Sequence, residues 1–425
     1  MFSLDKDYLK NIKWQSSGNI IAQAVNIMSL PIVTRLFTPS EVGVLNIFVQ
    51  ALAFATIIIS FRVEHVVMLP KRDRHARELA SFIFGFGVIS CLTLLIMVYA
   101  LLQFDLIPDE YRMWAPLLPI VAFLTVLSQG VQQLSQRSAN FKLSGLSEVV
   151  NRVTNSLFAI VGGFLSGPGV VLGIAVGVGF FFKTLTFWSS IQSINKTIWS
   201  GAILGVRRIK RLSLQRLLGS LIVSHGLLAI TSMAPLWYMA NEWGNDYVGY
   251  FSLVLATLAL PTRLLGNAVG QVFYQRAASS FAQNNSFNQL MIKNFKLLFL
   301  IALPGFSVVF FFGGYLYPLI FGESWSAAGI VAQYYVFAAA LSFLSVPFDR
   351  SGLIVNAWWY GPSWHVLRVI TTLLVIYISD LFALSFYDFL LLLTIQAAVM
   401  YVIDLAASFI FSRRSNPFSS KMFAC

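Results

Sequence analysis

The sequence predicts an all-α, polytopic membrane protein: twelve transmembrane helices in two six-helix lobes, with the N- and C-termini cytoplasmic. Three observations lead there. Hydrophobic residues fill 57% of the 425 positions and charged residues only 11%, where soluble chains carry roughly 25% charged residues. The apolar residues fall in long runs with short polar gaps, each run near the ~20 residues a helix needs to cross hydrocarbon. Lys and Arg accumulate in every second gap, the asymmetry that fixes orientation in a bilayer.

The spans are expected at 14–34, 43–63, 79–102, 114–134, 146–165 and 168–190, then at 216–238, 247–270, 295–317, 327–347, 361–379 and 388–411. The chain is organised around the first hairpin, Pro31 to Glu64. There the end of one helix, with Arg35, meets a tight turn at Thr38-Pro39-Ser40. The second helix begins near Val42-Gly43 and is closed by Arg62 and Glu64. A second copy leads from Pro235 through the polar turn Asn245-Asp246-Tyr247 into an apolar helix carrying Arg263. The lobes are expected at 1–205 and 206–425, joined by a basic central stretch with Arg207, Arg208, Lys210 and Arg211. Two readings fit that stretch: a tether obeying the charge rule, which is preferred, or an amphipathic helix drawn to anionic lipid.

Orientation follows from the loops. Of 29 Lys and Arg, 23 fall on one side: Lys6, Lys10 and Lys13 at the N-terminus; Lys71, Arg72, Arg74 and Arg77 in the second loop; Lys196 in the central stretch; Lys421 in the tail; and others alike. Only Arg35 and Arg112 face the other way, where Glu41, Asp105, Asp109, Glu110, Glu242 and Asp246 sit. The net charge of +12 therefore reports membrane topology and not nucleic-acid binding. Two cysteines, Cys91 and Cys425, provide neither a disulfide framework nor a metal site.

Charges inside spans are costly unless they face a partner or water. Arg152, Lys183, Arg263 and Arg368 lie within spans, with Glu148 and Asp404 as acids. Arg368 and Asp404 fall at similar depth on antiparallel neighbours, so an ion pair is expected if both side chains reach. Arg152 and Lys183 match across the Ser166-Gly167-Pro168-Gly169 turn, and Glu148 shares a helix face with Arg152. Structural ion pairs and a polar cavity both account for these groups. For Arg263, which follows Pro261 and lacks an evident acidic partner, the cavity reading is favoured, because a proline kink is tolerated where helices line a cavity. Arg35 and Arg62 lie near the membrane borders, where long side chains snorkel to water. Trp237, Tyr238, Trp243, Trp325, Trp358 and Trp359 are read as interface anchors.

Enzyme signatures are missing. His65, His75, His225 and His365 form no HExxH, and neither GxSxG nor a Walker A sequence occurs. With short outward loops besides, a transporter is expected, not an enzyme, and no cofactor or metal. The stretches RLFTPSEVG, FRVEHVVMLP, DYVGYFSLVLATLALPTRLLGNAVGQVFYQRAA and PLIFGESWSAAG resemble the O-antigen (Wzx-type) flippases, a polysaccharide biosynthesis transport family of the multidrug/oligosaccharidyl-lipid/polysaccharide (MOP) exporter superfamily.

That resemblance implies a central cavity and a cargo of undecaprenyl-pyrophosphate-linked glycan. The cargo would be flipped across the bacterial inner membrane by alternating access on an ion gradient. It also implies a polysaccharide polymerase and a chain-length regulator as partners, beside the bilayer. Arg35, Arg62 and Arg263 match the family's hairpins. With Arg152, Lys183 and Arg368, which rest on burial logic, they are the candidate substrate-binding residues; Glu148 and Asp404 are the candidate ion-coupling residues. Arginine suits such a cargo because its planar fork donates two hydrogen bonds to one phosphate. A drug or toxin exporter of the same superfamily and a membrane-embedded glycan polymerase or glycosyltransferase are the alternatives. The mostly positive buried charge speaks against the first and the short outer loops against the second.

Overall fold

Every regular element among the described residues is helical, as expected in a medium that offers a backbone group no other partner. The structure is a computed structural model that describes residues 6–70, 72–138, 140–195, 198–283 and 286–414. Lys71, Lys196, Lys421 and Cys425 lie outside the described residues, as do the side chains of Lys6, Lys10 and Lys13. Contacts divide the chain into two compact units, Met1–Met233 and Ala234–Cys425.

The first unit holds α1 (Lys6–Leu36), α2 (Pro39–Ser60), α3 (Asp73–Gln103), α4 (Leu117–Arg137), α5 (Phe141–Phe164), α6 (Val170–Leu185) and α7 (Ile198–Arg211). The next helix, α8 (Gln215–Trp243), begins in it. Here α1 lies along α5, while α4 packs against α2, α3 and α6. Ile59, Val63, Leu79, Ile83 and Val126 are at the centre of their shared core. The second unit holds α9 (Asn245–Leu258), α10 (Asn267–Ala282), α11 (Asn288–Phe321), α12 (Ser326–Ser345), α13 (Tyr360–Leu381) and α14 (Phe386–Ser412). Helix α12 packs on α9, α11 and α14, and α13 lies against α14.

The outer faces are apolar: Ile96 is 71% exposed, Leu300 71% and Phe311 69%. Hydrocarbon suits such faces and water does not. Nine helical stretches among the described residues are long and apolar enough to cross a membrane. Helices also stand at the other three expected spans. Of these, α1 and α5 carry many polar groups (Gln23, Asn26, Glu148, Asn151 and Arg152 among them), and α6 is apolar but has only 16 residues.

The hairpins differ from expectation in their boundaries. Thr38 is the N-cap of α2, which starts at Pro39, ahead of the expected start near Val42. The Glu41 amide donates to Thr38 Oγ1 at 3.3 Å and the Thr38 amide to Glu41 Oε2 at 2.9 Å. This reciprocal capping box, with Pro at the first helical position, draws the helix start forward. In the second unit the turn is reduced to Gly244, whose φ of 92° only glycine adopts at little cost.

The central basic stretch corrects the preferred tether reading. It is helical as α7 and lies along α3, with Arg208 Nε 2.8 Å from Glu78 Oε2. Ile209 packs against the core cluster. At Gly205 a Cβ would stand 2.9 Å from the Glu78 carbonyl oxygen, so a glycine is needed for this approach. Apolar residues at helical spacing give the segment a face to bury, which a solvated tether lacks.

Candidate functional site

Two of the places where charge is buried hold the candidate residues within spans, one in each unit. In the first unit, Lys183 on α6 is 5% exposed. Its Nζ lies 2.7 Å from Glu148 Oε1 on α5, and Gln132 Nε2 on α4 donates to the same oxygen at 3.1 Å. Gln132 and Gln136 also donate to Ser144 Oγ, at 3.0 and 2.7 Å. Lys183 thus pairs with Glu148, while Arg152 stands half-buried one turn further along α5. Three helices are tied together by a satisfied polar network, an arrangement that fixes packing.

Arg35 and Arg62 do not converge. Arg35 is exposed in the last turn of α1. Arg62 lies beyond the far end of α2, whose 22 residues span about 33 Å at 1.5 Å per residue. Arg62 is 9% exposed, and its Nη1 sits 3.4 Å from Glu64 Oε1.

The second unit contains a cavity of about 430 Å³ between the segment after α12 and helices α13 and α14. Asp349, Arg350, His365, Arg368 and Asp404 line it, with Trp358, Tyr360, Trp364 and Tyr401 as aromatic walls. Asp404 is 7% exposed. Its Oδ2 accepts from Ser345 Oγ at 2.5 Å and its Oδ1 from Tyr360 Oη at 3.0 Å. Arg368 is held by rings: its guanidinium carbon lies 5.1 Å from the Trp364 centroid and 5.4 Å from that of Tyr401. Its Nη2 reaches Tyr401 Oη only at 3.5 Å.

The expected Arg368–Asp404 ion pair is therefore not formed. Both groups face one cavity, yet neighbouring hydroxyls satisfy the acid, and aromatic faces one turn away on either helix hold the base. Among the described residues no carboxylate lies within ion-pair distance of Arg368. Two flanking rings are electrostatically favourable for a guanidinium but engage few of its five N–H donors, with the 3.5 Å contact to Tyr401 Oη taking one of them. The arrangement can accept an anion.

Arg263 lies next door. Pro261 does more than kink its helix: Thr262–Gly266 forms one π-helical turn between α9 and α10, in which the Asn267 amide reaches back to the Thr262 carbonyl. Such a turn shifts side-chain direction and often marks a functional position. Arg263 is exposed there and lines a second cavity of about 290 Å³ with Asn267, Tyr335, Ser342 and Tyr401. Tyr401 is common to both cavities. Among the described residues no carboxylate lies within ion-pair distance of Arg263 either.

Sequence reasoning missed Tyr360, Trp364, His365 and Tyr401 as cavity residues. The spacing Trp364/Arg368 (i, i+4) places ring and guanidinium on one helix face, a readable pattern. Trp358, read as an interface anchor, is 72% exposed and lines the cavity. Ser345 reaches Asp404 from 59 positions away, which no local pattern reveals.

Comparison with known proteins bears on family and fold. The sequence profile of the family described as "Polysaccharide biosynthesis protein" matches residues 32–329. A curated relative is the capsular polysaccharide biosynthesis protein CapF of Staphylococcus aureus, 22% identical over 333 residues, which cover 76% of this chain and 80% of that protein. Among solved structures, an inward-facing multidrug resistance MATE family transporter of the MOP superfamily superposes with a TM-score of 0.66. It is 13% identical and covers 92% of this chain and 94% of its own. The lipid II flippase MurJ, in an inward closed conformation, gives a TM-score of 0.63 at 14% identity, over 92% of this chain and 90% of that one. At such identities the likeness establishes the fold alone, the one this chain shares with those MATE and MurJ structures.

Proposed function

Because the chain belongs to the polysaccharide biosynthesis protein family, we propose that it is a flippase for undecaprenyl-pyrophosphate-linked oligosaccharide, an O-antigen or related repeat unit. It moves this cargo from the cytoplasmic to the periplasmic leaflet of the bacterial inner membrane by alternating access, driven by an ion gradient. In this reading α1, α5 and α6 complete twelve crossings, both termini are cytoplasmic, and a polymerase and a chain-length regulator act on the delivered unit.

The observation that carries the reading is Arg368, a half-buried guanidinium held by Trp364 and Tyr401 and lacking a carboxylate partner among the described residues. A charge kept without an internal counterion favours an anionic cargo. A pyrophosphate supplies oxygens spaced for the guanidinium fork. Arg263, across Tyr401, adds a second cation, and the tryptophan and tyrosine walls suit sugar faces. Arg35, Arg62, Arg152 and Lys183 are assigned to substrate binding on weaker grounds, since Arg62 and Lys183 already face Glu64 and Glu148. Of the two coupling candidates, Asp404 is the stronger, because Glu148 is engaged by Lys183.

The test is genetic and biochemical: delete the gene and follow the lipid-linked repeat unit. Accumulation of the complete unit on the cytoplasmic leaflet, with loss of surface polysaccharide, is expected. Normal surface polysaccharide with altered drug sensitivity would move the assignment to a drug exporter, and accumulation of an incomplete glycan to an enzyme.

A further inference from the structure

A third cluster of ionisable groups lies in the first unit, apart from both sites above. The turn that follows α2 is built on two consecutive residues in the left-handed region, Phe61 (φ 49°) and Arg62 (φ 60°), a conformation that residues with side chains adopt rarely. It leads into a single 3₁₀ turn, Val63–Val66, that packs on α3 and α4. Glu64 is 1% exposed. Its Oε1 stands 3.4 Å from Arg62 Nη1 and 3.8 Å from His65 Nε2. Its Oε2 is buried and, among the described residues, has no hydrogen-bond partner.

The His65 ring is stacked on that of His225 from α8, with centroids 5.1 Å apart and planes at 29°. His225 Nδ1 is 2.8 Å from the Leu221 carbonyl oxygen. Since a carbonyl oxygen only accepts, that contact assigns an N–H to Nδ1.

We propose that His65, His225 and Glu64 form a proton-binding site whose occupancy decides whether α8 stays stacked on the turn after α2. The charges dictate the logic. With both imidazoles neutral, the stack is a contact of flat, weakly polar rings. One proton is tolerated, because Glu64 lies beside His65. A second places two like charges about 5 Å apart with a carboxylate that Arg62 already engages, and the rings separate.

The charged groups acting on His65 are Glu64, His225 and Arg62. On the packed helices, Arg74 is bound to Glu78 at 3.2 Å, and Arg137 to Asp73 at 2.8 Å and to the Met68 carbonyl at 3.0 Å. Burial first, then His225 and Arg62, hold the His65 pKa below its ordinary value against the pull of Glu64. A histidine with a lowered pKa opposes protonation in this arrangement. The stack is thus fully favoured above the ordinary histidine range and is lost as the pH falls through it.

Its position gives the proton leverage. Helix α8 is the element on which the chain passes from the first unit into the second, at Met233–Ala234. A proton that frees His225 acts on that helix. The consequence for transport rests on the flippase reading; the site itself does not.

Two measurements on the full-length protein separate these. In histidine NMR titrations in nanodiscs, H225Q should move the His65 midpoint upward, by removing a neighbouring charge, and E64Q should move it downward. An unmoved or oppositely moved midpoint in H225Q, which leaves the Glu64 pocket untouched, overturns the proposal. In proteoliposomes loaded with lipid-linked oligosaccharide extracted from the deletion strain, wild-type transport rates at pH 6 and pH 8 should differ about tenfold, as one protonation step, the second of the pair, allows. In H65Q and H225Q they should differ little. Transport that keeps the wild-type pH ratio in both variants sinks the proposal and leaves the flippase reading intact. Shifted midpoints without transport by the wild type would leave the proton site standing and remove the flippase.

Discussion

The Glu148–Lys183 network of the first unit and the Arg368–Asp404 cavity of the second draw on the same ingredients: one acid and one base on neighbouring apolar helices. They resolve in opposite ways. Lys183 and Glu148 close on each other at 2.7 Å, and Gln132 adds a further bond. Arg368 and Asp404 face one cavity and yet remain apart, one satisfied by rings and the other by hydroxyls. The outcome turns on what else is in reach. Trp364 and Tyr401, one turn from Arg368 and Asp404 respectively, hold the guanidinium, while Ser345 and Tyr360 hold the carboxylate. An internal pair fixes structure, whereas charge left unpaired beside a cavity is available to a cargo. Burial of a charge is thus a poor guide to function until its partner is known.

The largest effect should come from Arg368. Replacing it with alanine removes hydrogen bonds to an anionic group, about 1.5–3 kcal/mol each, and export of the repeat unit should fall at least about tenfold. Protein abundance in the membrane should stay near wild type, because no internal ion pair is broken. Arg368→Lys keeps the charge but loses the fork, so it should fall between the two. Abundance that drops along with export would show that Arg368 is structural and erase the contrast between the regions.

Lys183 should behave in the opposite sense. Lys183→Ala leaves Glu148 with a single glutamine donor inside the helix bundle, and removing one partner of a buried pair costs about 3–5 kcal/mol. The Glu148 side chain is 27% exposed, which places the loss near the lower end. Abundance and thermal stability should fall together, and the double exchange Glu148→Lys with Lys183→Glu should recover part of both. An abundant, stable Lys183→Ala protein that cannot export would move Lys183 from the structural to the cargo-facing class.

The fold was largely legible because hydropathy and loop charge act over whole spans. The places of the helices, the first hairpin and its second copy after Pro235 follow from patterns within about 30 residues, whereas several helix lengths do not: the helix expected at 295–317 runs over Asn288–Phe321 and that at 168–190 over Val170–Leu185. The central stretch was misjudged because its charge count outweighed the helical spacing of Leu204, Ile209 and their neighbours. Only the contact with Glu78 on α3 shows what that face buries against. The candidate site was legible as a set of residues and not as an arrangement. Glu148, Lys183, Arg368 and Asp404 all stand out as charges within apolar runs. Which of them pair depends on Gln132, Ser345 and Tyr360, ordinary residues brought in from other helices. The His65–His225 stack had no sequence signature at all, since its two rings are 160 positions apart and meet only through the packing of α8 on the turn.

The smallest and most discriminating effect concerns Tyr360. Its hydroxyl is one of two that satisfy Asp404, at 3.0 Å, while Ser345 holds the other oxygen at 2.5 Å. Tyr360→Phe deletes one donor and keeps the ring, which packs against Phe411 with centroids 5.3 Å apart. Because the carboxylate borders a cavity that water can enter, the loss should be about 1.5 kcal/mol, at the bottom of the range for bonds to charged groups. A modest drop in thermal stability with export nearly unchanged would mean that the hydroxyl serves Asp404 and not the cargo. Should Tyr360→Phe instead abolish export at full abundance, as expected for Arg368→Ala, the hydroxyl must bind cargo directly. The second unit would then carry a polar cargo contact beside its cationic one, and the contrast with the first unit would sharpen from one residue to a surface.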